Sequence, residues 1–377
     1  MAGRLHARLR ILPRALLRGL VTFGRRRRPS APRRVLIAHH LLLGDTIMLT
    51  PLLAKLRQVY PAAEVIMTVP EPIAPIYAGS PYGTRVIPWD PRKAETLTPL
   101  FAGGHYDLAF VPADNRHSWL ALATDARWIV AHERDRPAYK SWPVDELRPY
   151  PERPAALGEI FAGLVDGPAP PTYRRNQWPD PPAAAFTLPA TPYAVLHVGA
   201  STPLKTWEPS KWRSLADWLS AAGLRVVWSA GSAETRLVDA IDPERRFESY
   251  AGRLDLAQIW HLLANATLLV CLDTGIAHLG RLVDVPTVVL YGPGSAQCFG
   301  AGEFWRDSPC RAVTIAPFPC RDQSNLFKRP IAWLRTCERS PRECAAPRCM
   351  HAIGLERVQA AVTELVPVMS RERVPPR

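Results

Sequence analysis

Short unbroken apolar runs alternate along the chain with longer segments whose apolar residues recur at helical spacing. VLIAHH (35–40), EVIMTV (64–69), RVIPW (85–89) and DLAFVP (107–112) read as buried strands. Between the first two, Ile47, Leu49, Leu52, Leu53, Leu56 and Val59 predict a helix over Thr46–Tyr60. From 132 to 192 the rhythm fades into a proline-rich stretch, and an interdomain linker is expected between about 170 and 192. A second series follows, with strands at YAVLHVG (193–199), LRVVWSAG (224–231), TLLVCLD (267–273) and TVVLYGP (287–293). Its helices are expected at Lys211–Ala222, ended by Gly223, at Leu256–Ala264 and from Gly275 to Leu282. Residues 300–350 look irregular, and Leu355–Val366 reads as a closing helix stopped by Pro367. Strands alternating with helices indicate parallel sheets covered on both faces, an α/β class. With 377 residues, two such domains are the natural division, since domains run to roughly 100–200 residues. The expected parts are a tail at 1–34, sheet domains at 35–180 and 190–350, and a closing helix and tail at 351–377.

The formal net charge is +13, which by itself points to nucleic acid or anionic lipid. Its distribution changes that reading: residues 1–34 hold eleven arginines and no acid, leaving about +2 for the rest. On a helix, Leu5, Leu9, Leu12, Leu16 and Leu20 share one face and Arg4, Arg14 and Arg18 lie opposite, with Arg8 and Arg10 on the flanks. Ile11 falls among the arginines, and Pro13 should kink the helix. This is the pattern of a helix lying in a membrane interface, followed by the basic run Arg25–Arg28. An anionic membrane surface is the expected partner. Nucleic acid is not, because the segment has one aromatic and no nucleic-acid module follows. No apolar run approaches the roughly 18 residues of a membrane span. The N-terminus lacks the continuous apolar region and cleavage site of a secretory signal, so a cytoplasmic setting is expected.

In open α/β sheets ligands gather beyond the carboxyl ends of the strands, so the loops there carry the chemistry. LLLGD follows the first strand, and the bland reading of Asp45 is a helix N-cap. GASTPLKTW follows 193–199, where Ser201, Thr202 and Lys205 at a helix start make a plausible phosphate cradle. DTGIAHLGRL follows 267–273: Thr274 and Gly275 stand where free N–H groups leave the coming helix, and His278 lies on its first turn. YGPGS (291–295) is a further glycine-rich strand end. Neither G-x-x-x-x-G-K-[ST] nor G-x-G-x-x-G in Rossmann position occurs.

These elements together resemble the ADP-heptose:lipopolysaccharide heptosyltransferase family. The matching segments are RRVLIAHHLLLGDTIMLTPLLAKLRQVYPAAEV, YAVLHVGASTPLKTWEPSKWRSLADWL, LRVVWSAGSAET and AGRLDLAQIWHLLANATLLVCLDTGIAHLGRLVDVPTVVLYGP, spanning about 35–295 in family order. The D-[ST]-G-x-x-H element is the most specific of them. The resemblance implies a GT-B fold, two Rossmann-like domains facing across a cleft, with the acceptor on the N-terminal domain and the sugar nucleotide on the C-terminal one. The last helix is then expected to cross back to the first domain. The implied reaction is metal-independent inversion, moving heptose or a related sugar from a nucleotide-sugar, expected to be ADP-heptose, to a lipid-linked or lipopolysaccharide-core acceptor, with no cofactor beyond the nucleotide-sugar substrate. The implied catalytic base falls on Asp45, and Lys205 matches the lysine near the donor phosphates. Asp273, Thr274, Gly275 and His278 match the diphosphate turn, and Glu234 a nucleoside-contacting acid. Leu42 and Leu43 replace the hydroxyl residues common before the family's GD. The implied place is the inner face of the cytoplasmic membrane.

The residues agree with that chemistry: a carboxylate serves as base toward an acceptor hydroxyl, and helix N-termini with Lys205 and His278 receive a departing diphosphate. No Asp-x-Asp occurs, so no metal–diphosphate element is evident. The alternatives are a same-family transferase acting on another surface polysaccharide, or a non-catalytic sugar-nucleotide-binding protein. Cys320, Cys337, Cys344 and Cys349 fit no recognised zinc spacing and leave a metal, a disulfide or unlinked thiols open.

Overall fold

The protein is described by a computed structural model over residues 2–22 and 26–366, the first four of these by backbone alone. Arg25, the side chains of Arg4 and Leu5, and the expected tail beyond 366 lie outside the described residues. Two compact units are present. The first takes in the chain up to Pro181 together with Ser324–Trp333, and the second takes in Pro182–Gln323 and the chain from Leu334.

The first unit contains β1 (Arg34–Ile37), β2 (Glu64–Val69), β3 (Thr84–Pro88), β4 (Leu108–Val111), β5 (Ile129–His132) and β6 (Glu146–Arg148). They form one sheet in the order β3-β2-β1-β4-β5-β6, all pairs parallel, with Val35 opposite Val65 on one side and Leu108 on the other. β6 lies in the stretch where the sequence rhythm faded, and β5 ends where that stretch begins. β6 is a short, half-exposed edge strand, ELR, which carries no apolar run to reveal it. The helix expected over Thr46–Tyr60 is broken into Leu43–Ile47 and Thr50–Val59. Pro51 has no N–H to donate to the Ile47 carbonyl, and the Thr50 hydroxyl takes that carbonyl at 2.6 Å instead.

Residues 2–22 are not a separate tail. They form one helix, continuous through Pro13, packed on the first unit against His117–Ala123. Ala7, Ile11 and Ala15 are buried in its core. The arginines flank this buried stripe. Arg10 donates to the Ala94 carbonyl at 2.7 Å, Arg14 to that of Ala123 at 2.8 Å, and Arg18 pairs with Asp125 at 3.4 Å. Ile11 falls among the arginines because that face is the docked one. The leucine face points to solvent, with Leu9 60%, Leu16 55% and Leu20 78% exposed.

The second unit repeats the plan with β7 (Tyr193–His197), β8 (Arg225–Ser229), β9 (Glu248–Ser249), β10 (Leu268–Leu272), β11 (Thr287–Tyr291) and β12 (Cys310–Thr314), in the order β12-β11-β10-β7-β8-β9. Both sheets therefore step outward from their first strand and then reverse. β12 lies in the stretch expected to be irregular; it is a mostly exposed edge strand without an apolar signature. The closing helix Leu355–Leu365 packs on β11 and β12, with Val358 and Val362 in the second unit's core. The expectation that it crosses to the first domain is thereby corrected.

The segment that does belong with the first unit is 324–333. Its hairpin, Asn325–Leu326 against Arg329–Pro330, turns through Phe327 and Lys328 at φ 48° and 66°. That left-handed backbone costs roughly 1–2 kcal/mol per residue. It is offset where Phe327 stacks on Phe161 and where Arg329, fully buried, reaches Asn115 Oδ1 at 2.9 Å and Asp135 at 3.2 Å. Lys140 holds Asp135 from the other side at 2.9 Å. Arg329→Met removes one partner of a buried ionic network, a change that costs about 3 kcal/mol when the remaining charge cannot reach water. The melting temperature of the first unit's transition should fall by several degrees, and a melt unchanged from the wild type would show that the hairpin contributes nothing to its stability.

Candidate active site

In the second sheet the strand order reverses between β7 and β10, so the loops after these two strands diverge and leave a crevice at their carboxyl ends. The loop after β7 carries Ser201, Thr202 and Lys205. Thr202 caps the short turn Pro203–Lys205 by accepting from the Leu204 N–H. Lys205 reaches across the crevice, its Nζ 2.8 Å from Asp273 Oδ2 and 2.9 Å from the Asp273 carbonyl. Asp273 is almost buried. Any side chain at residue 294 would collide with its carboxylate, so Gly294 is required there.

Thr274 is the N-cap of the helix Gly275–Val283 but makes no capping bond, and its buried hydroxyl has no partner. The helix thus presents free N–H groups and a spare hydroxyl together, the arrangement that receives anions. His278, one turn in, accepts a bond at Nδ1 from Arg281 at 3.1 Å. Its remaining proton therefore sits on Nε2. Burial, with Arg281 and Lys205 nearby, holds its pKa well below that of a free imidazole, so it acts as a neutral donor. Arg281 also bonds Tyr291 and the Phe299 carbonyl. Sequence reading missed it, although its place three residues after His278 is visible. His197, at the end of β7, is pushed down to about 4 by burial and meets the Ser229 hydroxyl at 3.0 Å.

Glu234 has a role the sequence did not reveal. Its carboxylate accepts from the Ala200 N–H at 2.7 Å and the Gly231 N–H at 3.0 Å, tying the loop after β7 to the loop after β8. Ser201 is exposed in the tied loop, and Thr202 is half-buried. The expected residues of this unit therefore lie around one crevice, with Glu234 bracing its edge.

Asp45 belongs to the first unit, which has its own reversal between β1 and β4. It occupies the first turn of Leu43–Ile47 and is half-buried. The N-cap position belongs to Leu42, so the bland capping role is not available to Asp45. Beyond the ends of β1, β3 and β4 stand four further residues that the sequence did not single out. Trp89 lies edge-on to His40 at 5.6 Å and to His117 at 5.3 Å. His39 accepts the Leu41 N–H at Nδ1, leaving a buried Nε2 without a partner. Trp89 Nε1 is likewise buried and unpartnered. Burial lowers the pKa of His39 well below the usual value and that of His117 to about 4. This end of the sheet is a neutral, donor-rich wall beside the loop of Asp45.

Residues 155–328 match the family model described as glycosyltransferase family 9 (heptosyltransferase). The chain is similar to that family over this segment. Over 338 residues it is 26% identical to lipopolysaccharide heptosyltransferase 1 of Pseudomonas aeruginosa, covering 80% of this chain and 94% of that one. Among solved structures it is similar to the ADP-heptose lipopolysaccharide heptosyltransferase II of E. coli, with a TM-score of 0.68 at 18% identity over 89% of this chain and 98% of that chain. It is also similar to the E. coli heptosyltransferase WaaC with ADP, with a TM-score of 0.60 at 20% identity over 74% of this chain and 92% of that chain. The fold is accordingly GT-B, with two Rossmann-like parallel sheets, and the protein is a glycosyltransferase.

The family match and the geometry make Lys205 testable. Lys205→Ala leaves the nearly buried Asp273 carboxylate without its cation, at a cost of about 3 kcal/mol, so the melting temperature should fall. Adding Asp273→Asn should recover it, because the amide needs no counter-charge. The double variant should still bind a nucleoside diphosphate tenfold to a hundredfold more weakly by calorimetry, the scale of one charged hydrogen bond at roughly 1.5–3 kcal/mol. Unaltered binding in the double variant would remove Lys205 from the anion site.

Proposed function

We propose that the protein transfers heptose from ADP-heptose to a lipopolysaccharide-type acceptor, with inversion at the anomeric carbon and without a metal at the reacting centre. The observation that carries this reading is the crevice of the second sheet. There Lys205, the free end of the helix at Gly275, the Thr274 hydroxyl and the neutral His278 stand at the carboxyl ends of neighbouring strands, donors of the kind a diphosphate takes. The relatives named above supply the donor and the acceptor class. In the proposed step Asp45 removes the proton of the acceptor hydroxyl as its oxygen attacks the anomeric carbon from the face opposite the leaving group. The bond from that carbon to the diphosphate oxygen breaks with its electron pair. The charge that develops on the diphosphate meets donors already held in place, which is where preorganised groups lower a barrier most. The ionised phosphate accepts no proton from His278 in this scheme; the imidazole only donates a hydrogen bond.

Asp45→Asn separates this role from a structural one. The change keeps the shape of the side chain but removes the base, and the helix-dipole interaction it gives up is worth about 0.3–1 kcal/mol. Acceptor-dependent ADP release should fall at least about a hundredfold, the usual scale of general-base loss, with donor affinity and melting temperature little changed. Near-normal turnover would reject Asp45 as the base.

The N-terminal helix supports a place at a membrane surface, on the cytoplasmic side where a nucleotide-sugar is available. No described helix is long and apolar enough to cross a membrane. The helix nevertheless presents Leu9, Leu12, Leu16, Leu17, Leu20 and Val21 outward. The cations of the helix and of the segment after it are largely occupied: Arg10, Arg14 and Arg18 bond the protein, and beyond the helix Arg26 pairs with Asp145 at 2.7 Å and Arg28 with Asp166 at 2.6 Å. The proposed attachment is therefore by apolar insertion more than by attraction to anionic lipid. Replacing Leu9, Leu16 and Leu20 with Gln should abolish sedimentation with liposomes while leaving turnover on a soluble acceptor near normal. Raising salt to 0.5 M should weaken wild-type sedimentation only slightly. Equal sedimentation of both proteins would sink the attachment.

A further inference from the structure

Arg281 is a fully buried guanidinium on the helix Gly275–Val283, three residues beyond His278 and on the same helix face. Its two terminal nitrogens serve four acceptors. Nη1 donates to His278 Nδ1 at 3.1 Å and to the Gly300 carbonyl at 3.1 Å. Nη2 donates to the Tyr291 hydroxyl at 3.2 Å and to the Phe299 carbonyl at 3.1 Å. The Tyr291 hydroxyl in turn donates to the Phe299 carbonyl at 3.0 Å. One side chain thus fastens both ends of the loop after β11 to the helix that carries His278, and Gly294 of that loop packs on Asp273.

A guanidinium only donates, and it keeps its charge at any pH at which a protein folds. The His278 nitrogen that faces it must therefore present a lone pair. A proton placed there would set N–H against N–H, and the doubly protonated ring would set one buried cation against another. The bond excludes two of the three states open to an imidazole, the Nδ1–H tautomer and the imidazolium. The remaining state carries one proton, on Nε2. The other groups around the ring favour the same state. Lys205 adds a second positive charge from the loop after β7, with Asp273 as its partner, while Tyr291 and Cys310 lie on the far side of the guanidinium. Burial and the two cations hold the His278 pKa well below that of a free imidazole.

We propose that Arg281 is a positioning residue of the donor crevice, acting through His278 by locking its proton on Nε2, where the imidazole meets the diphosphate. The meeting with the diphosphate rests on the proposed function; the locked ring does not. The lock fixes orientation as well as protonation, because a flipped ring would turn Nδ1 away from the guanidinium. A donor set before the ligand arrives spends nothing on reorganisation. With the two tautomers equally populated, about half the molecules would lack the donor, and the apparent affinity would fall by that fraction.

The first measurement is nuclear magnetic resonance on the full chain labelled with 15N-histidine, the His278 signals being assigned by their loss in His278→Gln. Between about pH 5 and 8, where a free imidazole titrates, the ring should show a bare Nδ1, a protonated Nε2 and no titration. Arg281→Met keeps an unbranched side chain and removes every donor, so the Nδ1–H tautomer should appear. Tyr291→Phe cuts the same network without touching the ring and should leave the signals unchanged. The second measurement is calorimetry with ADP near pH 8. Arg281→Met should weaken binding about twofold to tenfold in the wild-type background, and less than about twofold in the His278→Gln background, since a residue acting through another loses its effect when that partner is gone. A wild-type ring protonated at Nδ1 would overturn the proposal without any variant, so a poorly folded Arg281→Met leaves it testable. Equal losses in both backgrounds, or a ring scrambled by Tyr291→Phe, would also overturn it and leave Arg281 as a brace of the loop alone. If the ring is locked but His278→Gln binds ADP normally, the lock stands and the part given to His278 in the proposed function fails.

Discussion

The crevice of the second unit depends on one carboxylate. Asp273 ends β10 where the second sheet reverses direction, and its near-complete burial requires a counter-charge. Lys205 supplies it from the loop after β7, which fixes the position of the only lysine in that loop. Gly294 is required because nothing larger fits against the same oxygen. The helix at Gly275 starts one residue later, so its free N–H groups, the Thr274 hydroxyl and the Lys205 ammonium are held about one volume by a single ion pair. An anion arriving there meets donors whose reorganisation is already complete, and that is the condition under which electrostatic stabilisation is large.

The two units reach their chemistry by the same topological route and fill it differently. In both, the reversal of strand order opens a crevice at the carboxyl ends. The second unit places a lysine and a helix N-terminus there. The first places half-buried Asp45 near one edge and a wall of buried imidazole and indole beyond β1, β3 and β4. Burial strips His39 and His117 of their charge, so their rings take part in this wall as neutral groups.

The N-terminal helix shows how tertiary packing redirects a charge pattern. Its arginines look like membrane ligands when the segment is drawn alone. Docking on a stripe of Ala7, Ile11 and Ala15 brings those arginines to carbonyls and carboxylates of the first unit instead. The leucines, which in an isolated amphipathic helix would be expected to seek the protein, are left outward. The same amphipathic pattern therefore survives with the roles of its two faces exchanged.

Much of the architecture was legible in the chain itself. Eight apolar runs marked eight strands, because a parallel strand buried on both faces must be apolar throughout. The D-T-G-x-x-H turn and the lysine before Trp207 were legible because a helix start after a buried strand leaves few other places for Asp, Thr and His. β6, β9 and β12 were obscured by shortness or edge exposure, since an edge strand needs little apolar surface. Pairing decided the remainder. Lys205 against Asp273, Glu234 between two loops and Arg329 returning to the first unit each join residues far apart in the chain. Local propensity and periodicity act over a few turns of backbone; the burial that makes a distant partner necessary exists only once the sheets have formed.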